Sequence, residues 1–97
     1  MIFVIHGFDK PGGTIRQNLI EAHRTYMDSD DANVLSSGPL VADDGETMIG
    51  SLLIVEAESR EAIDALVAGD PFVKAGLFAN IQVTRWYQRV GSFANPG

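Results

Sequence analysis

Two histidines, thirteen acidic side chains and no cysteine bound the chemistry open to this 97-residue chain. Without a thiol there is no thiolate nucleophile, zinc–thiolate site, iron–sulfur cluster or disulfide framework. Proton transfer by imidazole and carboxylate remains, and His23 is its first candidate. It follows Ile15 and Leu19 at steps of four, which on a helix places all three on one face, and the two apolar members direct that face inward. An imidazole ordinarily titrates near about pH 6.5, so one set in a pocket between helix and sheet suits general acid–base work close to neutrality. The same pattern also describes a core histidine whose ring nitrogens bond to backbone or to a carboxylate.

Asp70 is the partner to test. Pro71 follows it and drives its backbone extended, and a carboxylate bonded to one imidazole nitrogen fixes the tautomer, as histidine–carboxylate pairs in catalytic sites do. Asp-Pro is equally a turn initiator. Ser36-Ser37-Gly38-Pro39 places two hydroxyls and a glycine inside an apolar stretch, which makes either a β-bulge or a place where a ligand approaches the backbone. Neither serine has the strand–turn–helix setting of a nucleophile elbow, so their chemical use is to hydrogen-bond a substrate. His6 is a further candidate for the pocket or for a subunit seam. Two histidines and an aspartate can ligate a metal, but no spacing here supports one. Arg16 could meet an anionic substrate, although an arginine at such a position is ordinarily exposed. Phe72, Leu77 and Phe78 offer an apolar lining that excludes water, and Gly12-Gly13 is too short and isolated for a phosphate loop.

The elements that must hold these groups follow from periodicity. Met1 to Ile5 is a continuous apolar run, read as a strand buried on both faces that closes at His6-Gly7. Thr14, with Gln17 three residues on, opens a helix expected to run to about Asp30. Asn33 to Ala42 reads as a strand interrupted near its middle, and the Asp43-Asp-Gly45 turn joins it as a hairpin to Thr47–Ala57, whose Leu52-Leu-Ile-Val55 centre is again apolar on both faces. Ser59 caps a second helix carrying Ala62, Ile63, Leu66 and Val67, with Gly69 as its stop. A turn or single helical turn at Asp70–Gly76 leads to a last strand, Asn80–Arg89, with Ile81 and Val83 on one face and Trp86 on the other.

Strand, helix, strand, strand, helix, strand is the split βαβ order of ferredoxin-like α+β folds. Two helices cover one face of a four-stranded sheet, yet the first and third strands are apolar on both sides, so the second face calls for a homodimer packed sheet to sheet. The expected organisation is one domain over residues 1–91 and a loose tail over 92–97. A formal charge of −6 with no cluster of Lys or Arg gives no footprint for nucleic acid. The apolar start is far shorter than a membrane span and no basic region precedes it, so the reading is a cytoplasmic protein with neither export signal nor anchor.

Glu21-Ala-His23, Leu35-Ser-Ser-Gly-Pro-Leu40, Ile49-Gly-Ser51, Glu56-Ala-Glu-Ser59 and Asp70-Pro-Phe-Val-Lys-Ala-Gly76, in this order and at these intervals, resemble the YCII-related family from Ile2 to Tyr87. The resemblance implies the dimeric α+β barrel group, similar to muconolactone isomerases, and a site built on a histidine and an aspartate that fall on His23 and Asp70. It also implies a link to the breakdown of aromatic compounds, including elimination of chloride from hydroxylated chlorinated rings. His6 stands where relatives carry an aromatic residue, which changes the polarity expected there. The resulting expectation is a small cofactor-free lyase or isomerase in which His23, oriented by Asp70, moves a proton on a small oxygenated ring, with Ser36, Ser37, Gly38, His6 and Phe72 around the substrate. The rival is a non-catalytic ligand-binding or accessory dimer in which His23 and Asp70 form a buried structural pair.

Overall fold

The computed structural model describes residues 1–92. Its elements are β1 (Ile2–Asp9), α1 (Ile15–Met27), β2 (Val34–Val41), β3 (Met48–Glu56), α2 (Arg60–Gly69), a four-residue α3 (Pro71–Lys74) and β4 (Phe78–Trp86). The strands form one antiparallel sheet in the order β2-β3-β1-β4. This is the ferredoxin-like α+β arrangement, with the two apolar strands at its centre. The tail expected from Ser92 lies, from residue 93 onward, outside the described residues.

Side chains alternate across a strand, and the register sorts the two faces. Phe3 and Ile5 of β1 lie beside Val55 and Leu53 of β3 and pack with Met27 of α1 and Ile63 and Val67 of α2. That is the core between sheet and helices. Val4, His6 and Phe8 point the other way with their partners Ile54, Leu52 and Gly50. On this second face Phe8 is 49% exposed, so an apolar surface is left without a helix over it.

Several boundaries differ from expectation for physical reasons. β1 does not end at His6 but pairs with β4 through Asp9, with a register shift at Phe8/Asp9. β2 is not broken at its Ser-Ser-Gly-Pro centre; its irregularities fall at Val34/Ser36 and Leu40/Val41. Pro39 is tolerated because β2 is an edge strand, where a missing N–H leaves no ladder bond unmade. α1 stops at Met27 with Asp28 as C-cap, and Thr14 caps it without a bond to the helix backbone, its hydroxyl accepting instead from Asn18 Nδ2 at 3.2 Å. Ser59 caps α2 as expected, accepting from the Ala62 N–H at 3.1 Å. Gly69 is not a left-handed stop but the last residue of α2, and Asp70-Pro71 turns the chain.

Candidate active site

α1 presents Arg16, Ile20, His23 and Met27 along one stripe, at spacings of four, three and four. Met27 is buried in the core, while Arg16, Ile20 and His23 border a cavity of about 260 Å³ whose other walls include Ser37 and Gly38 of β2 and Ser51 and Leu53 of β3. The cavity therefore lies between the first helix and the outer half of the sheet.

His23 is fixed from behind. Its Nδ1 lies 2.9 Å from Asp70 Oδ1, and an ionised carboxylate only accepts, so the Nδ1–H donates. In the neutral ring the lone pair is then on Nε2, for which no partner exists among the described residues. The imidazole also stacks on Phe72, with ring centroids 4.2 Å apart and planes 12° from parallel. Asp70 is placed by the local chain: Pro71 holds it extended, at φ −63° and ψ 126°, and its Oδ1 also accepts the Phe72 N–H at 3.0 Å, capping α3. The turn-forming and histidine-binding uses of Asp70 are thus one arrangement. Its carboxylate, 3% exposed, is reached by Tyr26 electrostatically, and the Tyr26 phenol is held above its ordinary pKa first by burial and then by the Asp70 charge.

Arg16 departs most from its expected exposure. Its Nε and Nη2 donate to the two carboxylate oxygens of Asp9, both at 2.7 Å, and Nη2 also donates to Ser51 Oγ at 2.9 Å. The guanidinium carbon sits 4.9 Å from the centre of the Phe72 ring, and the side chain is 11% exposed. The signal for this was in the sequence, because Arg16 precedes His23 by two helical turns and so shares its face. The Ile15–Leu19–His23 stripe obscured it.

The candidate residues separate into two groups. His23, Asp70, Ser37 and Gly38 come together, with Ser37 paired to Leu53 on the helix side of the sheet. His6 and Ser36 do not join them, because alternation sends both to the opposite face, His6 beside Phe8 at 6.3 Å between rings and Ser36 beside Ile54. Phe72 is not a lining residue either. It is fully buried and serves as the plate behind His23 and Arg16, while Leu77, also buried, and Phe78 do not border the cavity. Among the described residues no three His, Asp or Glu side chains converge where they could share a metal ion, and no helix is long and apolar enough to cross a membrane.

A four-stranded antiparallel sheet with its helices on one face and a histidine–carboxylate pair at a cavity between them defines a small α+β protein of the dimeric α+β barrel fold group. The chain belongs to the YCII-related family, whose domain profile matches residues 1–87. Protein YciI of Escherichia coli O6:H1 is 32% identical over 91 residues, covering 86% of this chain and 93% of that protein, and protein YciI of Shigella flexneri matches to the same extent. A solved structure of 5-chloro-2-hydroxyhydroquinone dehydrochlorinase from Burkholderia phenoliruptrix, in complex with 2,5-dihydroxybenzoquinone, superimposes with a TM-score of 0.81 at 39% identity. It covers 90% of this chain and 94% of the dehydrochlorinase.

Proposed function

We propose that this protein is a cofactor-free lyase or isomerase of the cytoplasm that moves protons on a small hydroxylated ring, with His23 as general acid and base and Asp70 as its orienting partner. The observation that carries the reading is the Nδ1–H bond from His23 to the buried Asp70, which leaves Nε2 as the basic atom of a ring bordering the cavity. Similarity to a dehydrochlorinase bound to a hydroxyquinone supports the same substrate class. Ser37 offers a hydroxyl to a substrate oxygen.

The steps balance without an external oxidant or reductant. His23 Nε2 takes a hydroxyl proton and returns it to a ring carbon, a keto–enol shift. Where that carbon carries a halide, loss of a second, conjugated hydroxyl proton turns the O–H pair into a C=O bond, and the C–halogen pair leaves as halide. Asp70 stabilises the imidazolium formed each time, as carboxylate partners of catalytic histidines do.

The test is turnover of 5-chloro-2-hydroxyhydroquinone, followed by chloride release and quinone absorbance, in wild type and His23→Ala. The expected loss of kcat is about 10²- to 10⁴-fold, the usual contribution of a positioned acid–base group, with binding of 2,5-dihydroxybenzoquinone retained. Equal turnover in the variant removes the proposal. Binding without turnover in the wild type replaces it with the ligand-binding alternative.

We infer further that two chains pair through the face bearing Val4, Phe8, Leu52 and Ile54 around His6. A core this thin gains from a partner, and this face is largely apolar on both central strands. Light scattering should give about twice the 10.5 kDa chain mass, and Phe8→Asp should reduce it to one chain; a monomeric wild type would exclude the pairing.

A further inference from the structure

We propose that Arg16 binds the substrate's oxygen as an anion through its Nη1 group, and so makes the cavity select ionised rings over neutral ones. This rests on the reading of the cavity given above and names the charge state of its ligand.

Three observations lead there. The first is the pattern of donors on Arg16. Asp9 and Ser51 occupy Nε and Nη2, while the two hydrogens of Nη1 meet no acceptor among the described residues. Arg16 borders the cavity, its guanidinium held by the Asp9 pair and by the Phe72 ring beneath it. A planar fork whose one side is anchored presents its other side in a fixed orientation, so a ligand oxygen meets a donor that needs no ordering.

The second is the distribution of charge. The chain carries thirteen acidic side chains against seven basic ones, yet the cavity is bordered by Arg16, Arg24 and His23 and by no aspartate or glutamate. The carboxylates lie outside that lining: Asp9 against Arg16, Glu21 against Arg24, and Asp70 against the Nδ1 edge of His23. Each guanidinium is therefore largely neutralised by its own partner. Such a lining suits a phenolate or enolate whose negative charge is spread over the ring, and gives little to a polyphosphate.

The third is the relation of Arg16 to His23. They stand seven residues apart on one helix face, the imidazole 4.2 Å and the guanidinium carbon 4.9 Å from the centre of the same Phe72 ring, and both residues border one cavity. A ring held in that cavity can set one oxygen at the Arg16 donor and another edge toward the His23 base. The charge that develops as His23 removes a proton is then met by a donor already in place, the arrangement that stabilises oxyanions in enzymes.

Calorimetric titration with two probes tests the assignment: 2,5-dihydroxybenzoquinone, ionised at neutral pH, and hydroquinone, uncharged there. Arg16→Gln is expected to raise Kd for the ionised probe about tenfold, the usual effect of losing a charge-assisted hydrogen bond, and to leave hydroquinone within about twofold. Should Arg16→Gln not fold, Arg16→Lys decides. It keeps an ion pair with Asp9 but loses the fork, and a rise of about threefold or more for the ionised probe alone is expected. Unchanged binding of the ionised probe, or equal weakening of both, overturns the assignment. If the wild type binds neither probe, the hydroxylated-ring reading of the cavity falls together with it. If the wild type binds and His23→Ala abolishes turnover while the Arg16 variants bind normally, only the role of Arg16 falls.

Discussion

Asp70 holds His23 with the same oxygen that starts the next helix: Oδ1 lies 2.9 Å from His23 Nδ1 and 3.0 Å from the Phe72 N–H. The orientation of the imidazole is thereby coupled to the formation of α3, and α3 in turn supplies the Phe72 ring on which the imidazole stacks.

Replacing Asp70 separates these roles. Asp70→Ala removes a cap and a buried acceptor at once and is expected to cost about 2–4 kcal/mol in urea unfolding. Asp70→Asn keeps an oxygen that both donors can reach and should cost about 1 kcal/mol or less. Nitrogen-15 spectra of the neutral His23 ring should show the proton on Nδ1 in wild type and mostly on Nε2 in Asp70→Ala. A wild-type ring protonated on Nε2 would contradict the bond described here.

Gly69 offers a case where packing opposes helix propensity. Glycine to alanine inside a helix ordinarily stabilises by up to about 1 kcal/mol, but a Cβ at Gly69 would collide with the Tyr26 hydroxyl, which donates to the Leu66 carbonyl at 2.7 Å. Gly69→Ala is expected to destabilise by about 1–3 kcal/mol. Adding Tyr26→Phe should recover part of that loss, as thermal unfolding of the single and double variants will show.

The Tyr26 phenol predicts an alkaline limit. Burial and the Asp70 charge raise its pKa above the ordinary 10.0, so the folded protein retains this proton where the unfolded chain releases it. The stability linked to it is complete below pH 10 and falls as pH rises toward the folded value. Absorbance titration near 295 nm should show one late phenol, which moves toward 10 in Asp70→Asn yet stays above it because burial persists.

Asp44 predicts an acid effect at the other end of the molecule. Its carboxylate accepts from the Thr47 hydroxyl and from the Thr47 and Glu46 N–H groups, the latter two at 2.9 Å, and these bonds lower its pKa from 3.8 to about 2. The turn's contribution is present above 3.8 and disappears as pH falls toward 2. Asp44→Asn should flatten that part of the pH–stability curve.

The fold was readable because its signals were local and mutually consistent. The apolar runs at Met1–Ile5 and Leu52–Val55, the Ser59 cap and the Asp43–Gly45 turn each point to one element, and their order admits few topologies. Asp70 was readable as a candidate through Pro71, but its contact with His23 spans 47 positions and belongs to tertiary packing. His6, read for the pocket or the seam, and Ser36, read for the pocket, both fall on the second face; a strand's alternation is plain, but which side faces the helices depends on register. Arg16 was read as a possible anion contact but as ordinarily exposed, because charge argues for exposure until a partner such as Asp9 is seen to neutralise it.

The edge position of β2 separates two kinds of inheritance. None of its residues is buried, and it supplies Ser37 and Gly38 to the cavity wall, whereas Asp70 and Phe72 are anchored among buried residues. Substitutions at residue 37 therefore cost little stability, within about 0.5 kcal/mol for such surface sites, while still reshaping what the cavity admits. Lineages built on this chain can reshape the cavity through an evolvable wall and leave the His23–Asp70 pair, and the folding that depends on it, untouched.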